Sequence, residues 1–174
     1  MGYSFTVGEK VKNDNFDDII KDAIADGYSE EDCETRLYTA KSETSDDAPA
    51  YDEPTDHMNQ RWPSYTSWAA FLYTSNLNDL FLEGNDNLIG EHPGYIDITP
   101  ELYKEIQWKY TRFKMQNKGS IPSFEDEDFE KYDKILYYKD YEIPVNHTLA
   151  RFDWLMYWLD YSMNKYDEVI MSNT

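Results

Sequence analysis

The most regular hydrophobic pattern in the chain runs from Asn146 to Lys165, NHTLARFDWLMYWLDYSMNK. Leu149, Phe152, Met156, Leu159 and Met163 follow one another at spacings of 3, 4, 3 and 4, which puts them on one face of an α-helix. Leu155, Trp158 and Ser162 lie beside that face, and Trp154, Tyr157 and Tyr161 widen it. A helix apolar over so much of its circumference must be contacted on several sides, so it is predicted to be the central helix of the core. Asn146 is the expected N-cap, and Lys165 suits the C-terminal end, where a cation is favoured.

Shorter patterns precede it. Tyr3 to Val7 alternates apolar and polar residues and predicts a strand. Phe16, Ile19, Ile20, Ala23 and Ile24 form the stripe of a helix that Asp14 or Asn15 would cap and Gly27 would end. Thr35 to Ala40 (TRLYTA) favours strand and is expected to pair with the first one. Residues 41–63 hold three of the seven prolines and no periodicity, which predicts a long, mobile loop. Ser64 would cap a helix carrying Trp68, Phe71 and Leu72, with a short helical piece from Asn78 to Glu83. Gly84 to Thr99 reads as a glycine-rich loop. Thr99-Pro100-Glu101 starts a helix to about Asn117, with Leu102, Ile106, Tyr110 and Phe113 facing inward. Ile121 to Asp128 predicts a second exposed loop, and Phe129, Tyr132, Ile135 and Leu136 fit one more helix. The expected fold is mainly α (α+β). About four or five helices pack around the central C-terminal helix, with a small N-terminal β-sheet, and residues 1–174 form one domain.

Charge changes this picture most. The chain has 35 acidic against 16 basic residues, a net charge of −19, yet 17% of it is aromatic. Disordered acidic tails are poor in aromatics, so this chain is acidic and folded. Residues 1–60 carry 16 acids and 5 bases, residues 61–120 carry 7 and 6, and residues 121–174 carry 12 and 5. Such a field repels nucleic acid and anionic membranes and attracts basic proteins. Its plainer consequence is solubility. Lysines outnumber arginines by 12 to 4, which argues against adaptation to high salt. The single Cys33 allows no internal disulfide and no cysteine-based zinc site. No stretch approaches about 18 apolar residues, and MGYSFTVGEK lacks a basic start followed by an apolar run. The expectation is a cytoplasmic protein.

Motifs of known chemistry are sparse. His57, His92 and His147 fall in no metal-ligand spacing, and no phosphate-binding glycine loop or nucleophile elbow is present, so neither a metal nor a cofactor is expected. Asn85-Asp86-Asn87 with Gly90 fails as a calcium loop, because Ile96 stands where the bidentate Glu should be. The most site-like stretch is Gly90-Glu91-His92-Pro93-Gly94, with Asp97 nearby. A carboxylate beside an imidazole suits acid–base chemistry and a hydrolase-like pocket around Glu91, His92 and Asp97; a simple structural turn uses the same residues.

Tyr65-Thr66-Ser67-Trp68, Leu77 to Leu82, Glu91-His92-Pro93-Gly94 with Ile98-Thr99, and Leu149 to Leu155 with Trp158 together resemble a group of uncharacterised small acidic proteins of bacteriophage and bacterial genomes. The resemblance covers about residues 62–163 and assigns no activity. It implies a phage-like setting, where small acidic proteins often bind host proteins, some as mimics of DNA. The leading expectation is therefore a non-enzymatic protein that engages a basic host or viral protein. The contacts would come from Asp17, Asp18, Glu30, Glu31, Asp46, Asp47, Asp52, Glu53, Glu125, Asp126, Glu127 and Asp128. The alternatives are the hydrolase-like enzyme and a structural or assembly protein with an exposed aromatic patch.

Overall fold

A computed structural model describes residues 4–29, 33, 37–49, 57–81, 94–117 and 134–173. Among them, β1 (Phe5–Lys12) is followed by α1 (Phe16–Ala25), β2 (Tyr38–Ala40) and β3 (Gln60–Arg61). Next come α2 (Tyr65–Thr74), α3 (Asn78–Phe81), β4 (Gly94–Asp97) and α4 (Pro100–Asn117). The chain ends with β5 (Ile135–Tyr138), β6 (Tyr141–Pro144), α5 (Val145–Lys165) and β7 (Val169–Asn173).

Some of the local helix signals act as expected, although Asn15, at the N-cap of α1, makes no side-chain capping bond. The Ser64 hydroxyl accepts from the Ser67 N–H and caps α2, and Thr99 does the same for Leu102 at the start of α4. Gly27 takes a φ of 89° just past α1, a conformation that costs glycine little. The α5 cap differs: Pro144 occupies the N-cap position, and Asn146 lies buried inside the helix.

The expected mainly α fold with a small N-terminal sheet is not what forms. The structure is an α+β mixture, with an antiparallel five-stranded sheet ordered β2-β1-β7-β4, in which β3 also pairs with β1. The hairpin β5–β6 makes a second sheet. The difference has identifiable causes. β7 is only five residues long and buried at every position, so it shows no polar alternation to mark it. Gly94–Asp97, read as loop from its glycines, pairs with β7 from Gly94↔Asn173 to Asp97↔Ile170. Ile135 and Leu136, read as helical, belong to β5, and Lys139 at φ 53° turns the chain into β6. At the edges of the predicted 41–63 loop, Thr44 bridges Met58, and Gln60–Arg61 forms β3.

Helix α5 lies on one face of the main sheet. That face presents Phe5, Val7, Ile96, Val169 and Met171, which share a core cluster with Leu149, Phe152, Leu155 and Leu159 of α5. Phe152 is the junction with the other helices: its ring meets Phe71 of α2 at 6.0 Å, and Tyr110 and Phe113 of α4 at 5.1 and 5.9 Å. Trp154 donates to the Met58 carbonyl at 2.8 Å. The opposite face is covered by the curl of the sheet. β2 passes over β7, where the Ala40 N–H donates to the Ser172 hydroxyl at 3.0 Å and the Tyr38 ring meets Tyr95 edge-on. A smaller cluster of Ala23, Cys33 and Leu37 lies under α1. Buried Lys109 of α4 donates to the Asn76 carbonyl at 2.9 Å and to both Asp79 oxygens at 3.0 Å, tying α4 to the α2–α3 corner. Among the described residues, no helix is long and apolar enough to cross a membrane.

The curl depends on Gly8. A Cβ there would lie 2.8 Å from the Lys41 carbonyl oxygen and 3.0 Å from Asn59 Nδ2. Asn59 is itself fully buried; it donates to the Val7 and Lys41 carbonyls and accepts from the Glu43 N–H. Gly8→Ala must push this joint apart, with an expected loss of about 1–3 kcal/mol in urea unfolding. Unchanged stability would show that the joint relaxes without cost.

Candidate functional site

The described acidic positions lie on two separate pieces of chain. Asp17 and Asp18 occupy the first turn of α1 and are exposed. Asp46 and Asp47 are exposed in the turn that the Ala48 N–H closes onto the Ser45 carbonyl. Asp14, Asp18, Asp22 and Asp26 recur every fourth residue, all exposed, with Asp18 and Asp22 on α1 and Asp14 and Asp26 just outside its two ends. Side chains four apart on a helix are neighbours, with Cβ atoms about 5–6 Å apart, so Asp18 and Asp22 set two negative charges close together on one face of α1. Carboxylates in a first turn also complement the helix dipole, so Asp17 and Asp18 serve α1 structurally as well. Glu30, Glu31, Asp52, Glu53 and Glu125 to Asp128 lie outside the described residues.

The cations are distributed differently. Lys10, Lys41, Lys109 and Lys165 form ion pairs with Asp97, Glu9, Asp79 and Glu43. Lys12, Arg61, Arg112, Lys114 and Lys139 sit over the rings of Phe16, Trp154, Trp108, Tyr110 and Tyr138. Asp17, Asp18, Asp46 and Asp47 form no ion pair among the described residues. Among the described residues, no cation stands at ion-pair distance to neutralise these carboxylates.

Of the hydrolase-like trio, Asp97 sits exposed on β4 and bonds Lys10 Nζ at 3.0 Å; Glu91 and His92 lie outside the described residues. His57 joins the Ala48 carbonyl through Nδ1 at 2.8 Å, within the structured edge of the 41–63 stretch. Among the described residues, no three or more His, Cys, Asp or Glu side chains are grouped to hold a metal ion.

Two groupings went unseen in the sequence. His147 and Arg151 line a cleft with the start of α2 and strand β6. Across the α4–α5 seam, Tyr103 donates to Asp160 and Tyr110 to Asp153. The seven-residue spacing on each helix is the signal for this second pair, since two turns return a side chain to nearly the same face. Burial raises the Asp153 carboxyl above its usual range, against the pull of the Tyr110 hydroxyl and Lys114. Burial also raises both phenols, helped by the facing aspartates: Tyr103 to about 12, and Tyr110 well above its ordinary value. On the other side of α5, Glu43 accepts from Lys165 at 2.9 Å and from Tyr166 at 2.6 Å. Burial pushes the Glu43 carboxyl up, but these hydrogen bonds hold it below its ordinary value.

No protein-family model matches the chain, and no curated protein or solved structure matches it.

The two phenols set an alkaline limit. The folded state keeps their protons to higher pH than the unfolded chain does. Their contribution is complete below the ordinary tyrosine value of 10.0 and is lost as pH rises toward about 12 and beyond. Tyr103→Phe with Tyr110→Phe should lower stability at pH 8 by about 1.5–3 kcal/mol per lost bond to a charged group, and should flatten the decline above pH 10. Urea unfolding at pH 8, 10 and 11 measures both; an equally steep alkaline decline would rule the pairs out as its source.

Proposed function

We propose that this chain is a non-enzymatic binding protein that engages a basic host or viral protein through its acidic surfaces. It would act in the cytoplasm, of the host cell if phage-encoded. The observation that carries the reading is the unequal treatment of charge. Lys10, Lys41, Lys109 and Lys165 sit in ion pairs and Lys12, Arg61, Arg112, Lys114 and Lys139 against aromatic rings, with Lys21 and Lys104 left exposed, while the aspartates of α1 and of the Asp46–Asp47 turn face outward. Carboxylates repeated along a rigid helix imitate the charge spacing of a nucleic-acid backbone, to which an electropositive groove responds without reading bases. The partner expected on this ground is a protein that handles nucleic acid, and the mode of action is competition for its groove. The resemblance to small acidic phage proteins points the same way. The hydrolase-like alternative gains no support from Asp97, whose carboxylate is engaged by Lys10 at the edge of the sheet.

The immobilised protein should retain a basic, nucleic-acid-handling protein from host lysate and release it as salt rises, because exposed charges are screened within about 8–10 Å near physiological salt. Added nucleic acid should displace that protein. Reversing Asp46 and Asp47 to lysine should weaken retention while leaving thermal unfolding nearly unchanged, since both are exposed outside any helix; adding Asp17→Asn and Asp18→Asn should weaken it further at a modest cost to α1, whose dipole these two complement. Retention indifferent to salt and to these substitutions would overturn the proposal.

A further inference from the structure

A second surface of the molecule differs from the acidic one in its electrostatic character. Between the start of α2, strand β6 and the start of α5 lies a cleft of about 470 Å³. Ligand clefts of small proteins fall in this range, at about 300–1,000 Å³. His147 and Arg151 stand one turn apart on α5 and both line it. Arg151 is anchored there, its Nη1 donating to the Ser67 carbonyl at 3.3 Å. In a chain of net charge −19, a concave site that sets an arginine and a histidine beside a single carboxylate, Glu142, is a local relief from the acidic excess.

The remaining lining falls into two kinds. Ser64, Thr66 and Ser67 bring hydroxyls from the N-cap and first turn of α2, where the leading backbone N–H groups have no partner inside the helix and Ser64 accepts from that of Ser67. Ala70, Ile143 and the ring of Tyr141 form an apolar side. The hairpin that supplies Tyr141 is fixed in place: Tyr138 stacks on Tyr73 of α2 at 5.0 Å, and the Val145 N–H donates to the Lys134 carbonyl.

We propose that this cleft binds a small phosphomonoester. Donors reach the cleft from two helices. A flat carboxylate accepts in one plane, whereas a phosphate offers oxygens in several directions, and guanidinium and helix-end N–H groups are matched to it. The cleft is larger than the anion alone, so the organic body lies on Ala70, Ile143 and Tyr141. Glu142 also lines the cleft, and its carboxylate opposes the anion and limits the affinity. None of the acidic positions of α1 or of the Asp46–Asp47 turn contributes to this site, so it stands or falls independently of the basic-partner reading.

The test is an amide NMR titration of the full chain at constant ionic strength, with phenyl phosphate, inorganic phosphate and phenol as separate probes. Phenyl phosphate should give saturable shifts at Thr66, Ser67, His147 and Arg151, and should bind more tightly than inorganic phosphate. Phenol should leave these amides unmoved. Arg151→Met should weaken binding about tenfold or more, corresponding to about 1.4 kcal/mol, and Arg151→Lys should restore part of it. Glu142→Gln should tighten binding, and because Glu142 is exposed this variant tests the site even if Arg151→Met fails to fold. The absence of saturable shifts at low-millimolar phenyl phosphate would overturn the proposal. So would phenol equalling phenyl phosphate, or affinity unmoved by Glu142→Gln.

Discussion

The fold depends on the need to cover α5 on nearly every side. Twelve of its residues are buried, among them Phe152, Trp154, Leu155, Trp158 and Leu159. One neighbour cannot enclose such a surface. The sheet takes the side facing Val7 and Met171, α2 brings Phe71, and α4 brings Ile106 and Phe113. Each large aromatic buries about 150–250 Å², so the positions of the other elements follow from the circumference of this one helix. Both the α4–α5 seam and the cleft beside β6 exist because α5 needs neighbours there.

The same constraint explains what could be read from the sequence. The spacing of Leu149, Phe152, Met156 and Leu159 gave away the central helix, and Thr99-Pro100 marked the start of α4, because helix periodicity and caps are local. The sheet was much less visible. Val169–Asn173 is covered on one face by α5 and on the other by β2, so its burial erases the alternation that identifies a half-exposed strand. Gly94 reads as a turn residue until β7 lies beside it. The hairpin residues Ile135 and Leu136 mimic a helical pair, and only their partners Pro144 and Ile143 distinguish the two forms. The acidic positions were legible as composition, but the fate of the cations was not. That Lys10, Lys109 and Lys165 would each find a carboxylate far away in the chain depends on topology. The meeting of His147 with Ser64 and Thr66 does too.

Those cations show how a chain of such charge stays compact. Lys10 links β1 to β4, Lys109 links α4 to α3, and Lys165 links the end of α5 to Glu43. Each is placed at a joint between elements and is partly withdrawn from water or packed on an aromatic ring, where it is screened less than an exposed charge. Few positive charges thus act where they cross-link, and the acidic excess is left outside. The arrangement lets one molecule carry a strongly negative exterior without its interior repelling itself.

The pairing of β1 with β7 has a consequence for biosynthesis. The first described strand is completed by the last, Phe5 lying opposite Asn173. Translation proceeds at about 5–20 residues per second, so β1 spends much of the time the ribosome takes to make this chain without its neighbour. During that interval Phe5 and Val7 have no α5 to pack on, and the edge of β1 is open. The exposed strand carries Lys10 and Lys12 in its second half and leads into the acidic α1, charges that discourage edge-to-edge association with other nascent chains. The acidity of the first sixty residues thereby protects the protein before it is finished, whatever partner it meets afterwards.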